Sequence, residues 1–183
     1  MTILHIDSSI TGDASVSRQL SSSIVERLKR ERPAAHVDRR DLFADPLDHL
    51  TLDAFADTSV VDEFLAADTV VIGAPMYNFT LSSQLKAWID RILVAGSTFR
   101  YTANGPEGLA GGRRVIIAMA RGGIYDEGSP AATLEHLESY LRGVFNFIGI
   151  DPEFVAADGL NISPEQKEES VRAALGETVR LAA

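Results

Sequence analysis

"TVVIGAPMYNFTLSSQLKAWIDRI" spans Thr69–Ile92. It opens on a continuous apolar run, Thr69–Pro75, which reads as a strand buried on both faces. After Pro75 the chain turns and settles into a helical rhythm over Leu81–Gly96, with Gly96 placed as a helix-terminating residue. Between strand and helix lies a loop of Met76, Tyr77, Asn78 and Phe79 rather than small polar residues. A buried strand followed by a helix is half of a parallel β-α-β unit, and the rest of the chain repeats it.

Upstream, Thr2–Asp7 is a short apolar strand. A helix with one buried stripe follows it, with Val16, Leu20, Ile24 and Leu28 every four residues, closing before Pro33. His36–Leu42 is a weak, polar strand suited to a sheet edge. A helix is expected over Ala54–Ala67. Downstream, Ser97–Gly112 reads as a long loop, Arg114–Ala120 as a buried strand and Ala131–Ile148 as a helix. Pro152–Asp158 is the last strand and Ser163–Leu181 the last helix, opened by a serine cap with proline behind it. Five β-α repeats predict an α/β, flavodoxin-like doubly wound parallel sheet of order 2-1-3-4-5, with helices on both faces and one domain over 1–183.

Bulk properties narrow the function. The chain has 183 residues, is 45% hydrophobic and carries a formal net charge of -9. An acidic chain argues against nucleic-acid or anionic-membrane partners, both of which need basic patches. With no cysteine, thiolate metal sites, disulfides and cysteine nucleophiles are excluded. No signal peptide and no membrane span is read, so a cytoplasmic protein is expected. His5, His36, His49 and His136 are scattered without ligand spacing, so no metal is expected; His5 reads as a satisfied core residue.

In a doubly wound sheet, ligands bind beyond the carboxyl ends of the strands. Three loops meet there. The first, Ser8–Ser15, is rich in hydroxyls and runs into a helix N-terminus, which favours an anion. It lacks both the P-loop and the dinucleotide glycine patterns, so a single terminal phosphate fits better than a nucleoside triphosphate or a dinucleotide pyrophosphate. An N-cap with a solvated loop explains it about as well. The second loop offers flat apolar surface in Met76, Tyr77 and Phe79 beside Asn78, an amide that both donates and accepts. The third, Arg121-Gly122-Gly123, lets backbone approach a ligand, although a plain turn and a surface arginine are the simpler alternative. Asp7 ends strand 1 as in a phosphoacceptor domain, but strand 3 ends without an acceptor aspartate. No catalytic acid, base or nucleophile emerges, so a cofactor is expected to carry the chemistry.

"PMYNF", "TFRYTANGPEGL" (Thr98–Leu109), "RGGIY" (Arg121–Tyr125) and "FIGI" (Phe147–Ile150) together resemble the FMN-dependent NADH-azoreductases, also described as NADH:quinone oxidoreductases. The resemblance covers nearly the whole chain. It implies a homodimer with one non-covalent FMN per subunit, NADH or NADPH as hydride donor, and quinone or azo acceptors served in ping-pong fashion. By the same resemblance the phosphate is held by Ser9 and the Ser15-Val16-Ser17 turn. The ring is held by Met76, Tyr77, Asn78 and Phe79 and by Ala120-Arg121-Gly122-Gly123, where Ala120 replaces the usual serine. Tyr101, Tyr125 and Phe147 are candidate acceptor-pocket residues, with loop packing as the alternative for each. Arg18 stands where a neutral residue is common and is expected in solvent. The segment 41–59 is shorter than is common in this family. That predicts an open acceptor pocket, unless Leu42, Phe43, Leu47 and Leu50 form a plug. A flavodoxin-type electron carrier and a redox-inert FMN-binding module share the fold and remain as alternatives.

Overall fold

The computed structural model describes residues 1–181. Five strands form one parallel sheet: β1 (Thr2–Asp7), β2 (His36–Asp41), β3 (Thr69–Pro75), β6 (Arg114–Ala120) and β7 (Glu153–Ala157). Their order is β2-β1-β3-β6-β7, the expected one once two intervening hairpin strands are counted. The register pairs Ile3 with both Val37 and Thr69, and Val71 with Ile116. β3 is buried along its whole length, as its unbroken apolar run requires of a strand covered on both faces.

Two apolar layers sandwich the sheet. On one face α2 (Ser59–Ala66), α3 (Ser83–Ile92) and α4 (Glu138–Phe147) pack on Leu4, Ile6, Val70, Ile72 and Ile117. Trp88 and Phe64 meet edge to face there at 5.9 Å. On the other face α1 (Val16–Glu31) and α5 (Pro164–Leu181) pack on Ile3, Val71, Ile116, Ala118 and Val155.

Several expectations are corrected. The segment 97–112 is not a plain loop but carries an antiparallel hairpin, β4 (Phe99–Thr102) with β5 (Gly105–Gly108). Its outer residues are mostly exposed, so it lacks the apolar alternation that marks a strand. The helix expected from Ala54 is a 3₁₀ turn over Asp53–Ala56 and then α2 from Ser59. The helix expected from Ala131 is a 3₁₀ turn over Ala132–Leu134, and α4 begins only at Glu138. The Glu135 carboxylate sets that start. It accepts from the N–H groups of Leu137 (2.9 Å), Glu138 (2.8 Å) and Ser139 (3.1 Å), satisfying donors that a helix end leaves open. α3 stops at Ile92, short of Gly96.

The polar β2 is the edge strand its sequence implied, and its charges have assigned partners. Arg39 reaches Asp7 at 3.1 Å, Arg40 reaches Glu63 at 2.8 Å, and Asp41 pairs with Arg18. His5 is buried, with its Nε2 2.9 Å from the Ser21 hydroxyl.

Candidate functional site

The chain leaves β1 for β2 on one side, and β3 sits on the other. The sheet order therefore reverses beside β1, and the loops after β1 and β3 part there. At this edge a cleft of about 190 Å³ is lined by Ser9, Ser15, Val16, Met76, Tyr77, Ala120 and Gly122. All seven are among the residues singled out from the sequence. Thr11, one of the hydroxyls of the β1 loop, lines it too, as do Ala14, Pro75, Leu160, Asn161 and Lys167, which sequence reasoning passed over. Asn161 comes from the loop after β7 and Lys167 from α5. The signal was available, because that loop also follows the carboxyl end of a sheet strand.

The β1 loop presents its donors inward. The Ser15 hydroxyl caps α1, accepting from the N–H of Arg18 at 3.2 Å, and lies 3.1 Å from the Ser17 hydroxyl. Ser17 is fully buried behind this cap rather than on the cleft wall. The first-turn N–H groups of Val16 and Ser17 have no acceptor among the described residues, as expected at a helix start. Ser9 lies 3.0 Å from the Thr11 hydroxyl and 3.1 Å from the Tyr77 hydroxyl.

The aromatic loop now has a physical account. Tyr77 and Thr80 exchange backbone hydrogen bonds of 2.9 and 3.1 Å around a tight turn. Its two central residues, Asn78 (φ 47°) and Phe79 (φ 72°), are both left-handed. Asparagine tolerates that region, whereas phenylalanine is strained there. Strain of this kind, about 1–3 kcal/mol per residue, persists where surrounding structure imposes it. The Tyr77 hydroxyl accepts from the N–H of Ile10 at 3.2 Å, so the β3 loop is tied back to the β1 loop. Asn78 faces a second cleft of about 830 Å³, which shares Met76 and Tyr77 with the first and continues to Ser82, Lys86 and Tyr140. Phe79 is 44% exposed.

The glycine loop is locked from behind. Gly122 and Gly123 accept from Asn161 (3.0 Å) and Gly159 (2.9 Å), and Arg121 accepts from Leu160 (3.2 Å). The N–H groups of Gly122 and Gly123 themselves donate to no acceptor among the described residues. A Cβ on Gly122 would lie 2.5 Å from Asn161 Nδ2. Arg121 is not a surface charge. It is 5% exposed and forks onto Asp158 at 2.6 and 2.7 Å, with Glu135 and Glu138 at 3.7 and 3.8 Å. Burial pulls its pKa down, but the bond to Asp158 and the three carboxylates hold it above the ordinary value.

Arg18 likewise leaves the solvent position expected for it. It is 8% exposed and forks onto Asp41 at 2.6 and 3.0 Å, with Asp7 at 3.5 Å. The Arg18 bond, with two backbone N–H groups, holds Asp41 down at about 2. A depressed carboxylate stabilises the fold above its unfolded pKa, and that contribution is lost as pH falls from about 4 through about 2. The shift corresponds to about 2 kcal/mol. The fall in unfolding free energy between pH 4 and pH 2 is therefore expected to be smaller in Asp41→Asn by about that amount, read from urea midpoints. Equal falls would remove Asp41 from the account.

Tyr101, Tyr125 and Phe147 are not gathered at either cleft. Tyr101 is 76% exposed on the hairpin, and its ring and that of Phe147 both pack on Phe99. Tyr125 lies against Gly123. Nor do the apolar residues of 41–59 form a plug. Leu42 is fully buried, Leu47 packs on the core, Phe43 and Leu50 are exposed, and none of them lines a cleft at this edge.

The comparisons with known proteins decide the family. A family model described as a flavodoxin-like fold matches residues 1–181. The chain belongs to this family. Among its relatives, "FMN-dependent NADH:quinone oxidoreductase 2" of Bradyrhizobium diazoefficiens is 55% identical over 96% of both chains. The "FMN-dependent NADH:quinone oxidoreductase" of Sinorhizobium fredii is 50% identical over 100% of both. That alignment runs over 206 positions, against the 183 residues of this flavodoxin-like chain. Among solved structures, an azoreductase from Bacillus anthracis superposes with a TM-score of 0.91 at 30% identity, covering 100% of this chain and 98% of that one. An FMN-dependent NADH-azoreductase from the same species, in complex with FMN, gives 0.87 at 28% identity and covers 100% and 99%.

Proposed function

We infer that this protein is an FMN-dependent NADH:quinone oxidoreductase that also reduces azo compounds. The observation that carries the reading is the hydroxyl-lined cleft at the switch point, in a chain with relatives of that activity at 50–55% identity over nearly full length. The donor set fits FMN. Ser9, Thr11 and Ser15 hydroxyls, the open N–H groups of Val16 and Ser17, and the Lys167 ammonium suit a terminal phosphate. Met76, Tyr77, Asn78 and Phe79 would hold the ring with Ala120, Arg121, Gly122 and Gly123. Arg121 serves through its backbone, since its guanidinium is committed to Asp158. Bound FMN supplies hydride acceptance from NADH and its delivery to the quinone or azo group. The free N–H groups of Gly122 and Gly123 are the donors the chain offers to negative charge developing on the ring.

One domain carries this site on our reading, and the active form is a homodimer in the cytoplasm. Leu52 (85% exposed) and Phe55 (49% exposed) supply apolar surface for pairing. No helix among the described residues is long and apolar enough to cross a membrane.

The deciding experiment is anaerobic addition of NADH to the FMN-loaded protein, then a quinone, then an azo dye. Bleaching by NADH and recovery with each acceptor are expected. A flavin that NADH leaves unbleached would favour the electron-carrier reading. FMN is expected to bind more tightly than FAD, because the β1 loop lacks the dinucleotide glycine pattern. A groove between α1 and α5 adjoins the cleft, sharing Ala14, Val16 and Lys167. Tighter FAD binding would show that an adenylate finds a place beyond the phosphate.

Asn78 is best tested by glycine. Leucine would add left-handed strain to the loss of the amide, whereas glycine keeps the turn. Asn78→Gly is expected to weaken FMN or slow its reduction by about tenfold, the equivalent of one lost hydrogen bond to a polar ring edge. Unchanged affinity and rate would leave Asn78 as a turn residue only.

A further inference from the structure

We propose that Arg18 and Asp41 form a clamp that positions the β1 loop for the flavin phosphate, through the Ser9 carbonyl. The proposal rests on the FMN reading above and adds residues to it that do not touch the ligand. Arg18 occupies the third position of α1, where a cation opposes the helix dipole. It is nonetheless buried, and its Nε–H has no partner among the described residues. Such a placement is costly if it serves stability alone. What it achieves is geometric. One guanidinium nitrogen bonds Asp41 at 2.6 Å and lies 3.5 Å from Asp7, and the other bonds Asp41 at 3.0 Å and the Ser9 carbonyl at 3.4 Å. Asp41 ends β2 and Asp7 ends β1, so the clamp anchors Ser9 to two strand ends of the sheet. The Ser9 hydroxyl is thereby held on the cleft wall beside Ser15. The other anchors of this stretch come from β3 and the loop after it: Ser8 to the Gly73 carbonyl, and Tyr77 to Ser9 and Ile10. Arg18 supplies the hold from the opposite side.

The test compares FMN with riboflavin, which keeps the ring and ribityl chain but lacks the phosphate. Asp41→Asn removes a charge from the fork while preserving its shape. It is expected to weaken FMN about tenfold and riboflavin by no more than about twofold. Amide exchange of the flavin-free full chain should quicken over 9–15 and stay unchanged over β3 and β6. Arg18→Lys keeps the cation but loses the fork, and the same pattern is expected. Equal weakening of both flavins would show a merely structural role and overturn the proposal. So would unchanged FMN affinity, or a wild-type FMN-to-riboflavin ratio in Arg18→Lys. Should the unmodified chain bind no FMN, the flavin reading fails by itself. The exchange rates over 9–15 then decide the clamp alone, with unchanged rates in Asp41→Asn overturning it.

Discussion

Arg121→Met is expected to cost about 3 kcal/mol of stability and to loosen the glycine loop. Removing one partner of a buried ion pair costs ~3–5 kcal/mol, because the remaining charge is left without compensation. Here Asp158 would lose both bonds of the fork, and Glu135 and Glu138 would face it with no cation between them. The Asp158 side chain keeps 21% of its exposure, which places the expected cost at the lower end. Methionine preserves the length and much of the packing, so the loss reports charge rather than a cavity. The consequence for the site follows from the backbone. Arg121 joins the β6 loop to the loop after β7, and Gly122 and Gly123 are held by that same loop. FMN affinity should therefore fall alongside the urea midpoint. Arg121→Met combined with Asp158→Asn should recover part of the stability, since the stranded charge is gone. A single variant within about 0.5 kcal/mol of the parent, the range of ordinary surface changes, would mean that the pair contributes little.

The same residue shows where the sequence was informative and where it was silent. The alternation of apolar runs with helical spacing located all five sheet strands, because burial on two faces leaves an unbroken imprint in β3 and β6. The loops at the carboxyl edge could then be named from topology alone. Side-chain partners could not. Arg18 reads as solvent-facing, and a surface charge stands as the alternative to a flavin-loop role for Arg121, because Asp41 and Asp158 are distant in the chain and carry no local pattern. Glu135 hid the start of α4, since its cap works through a carboxylate three residues before the helix rather than a serine at its edge. The loop after β7 was left out of the site, although Asn161 and Lys167 line its cleft. Tyr77 was read as a flat ring, yet its hydroxyl ties two loops together.

Gly108→Ala is expected to detach the hairpin from the body of the protein. A Cβ at this position would lie 2.2 Å from the Gly149 nitrogen and 2.2 Å from the Ile148 carbonyl carbon. Both are backbone atoms, so no rotamer change relieves the clash. Gly149 cannot yield easily either. It follows α4 at φ 89°, where it donates to the Asn146 carbonyl at 3.0 Å. Next to the clash, Ala110 donates to the Ile148 carbonyl at 2.9 Å, and Phe99 packs on Phe147 with ring centroids 4.8 Å apart. "TFRYTANGPEGL" and "FIGI" are therefore two halves of one contact, in which the glycines let two backbones touch. Overpacking of this kind costs ~1–3 kcal/mol when side chains can shift. With backbone on both sides the loss should reach or exceed the upper figure. The sheet and the β1 loop lie outside the contact, so FMN should still bind to the folded fraction. Limited trypsin digestion gives the sharper readout: Arg100, paired with Glu107 across the hairpin, should become a cleavage site. An alanine variant that resists trypsin at Arg100 and keeps its urea midpoint would show that the hairpin docks by other contacts.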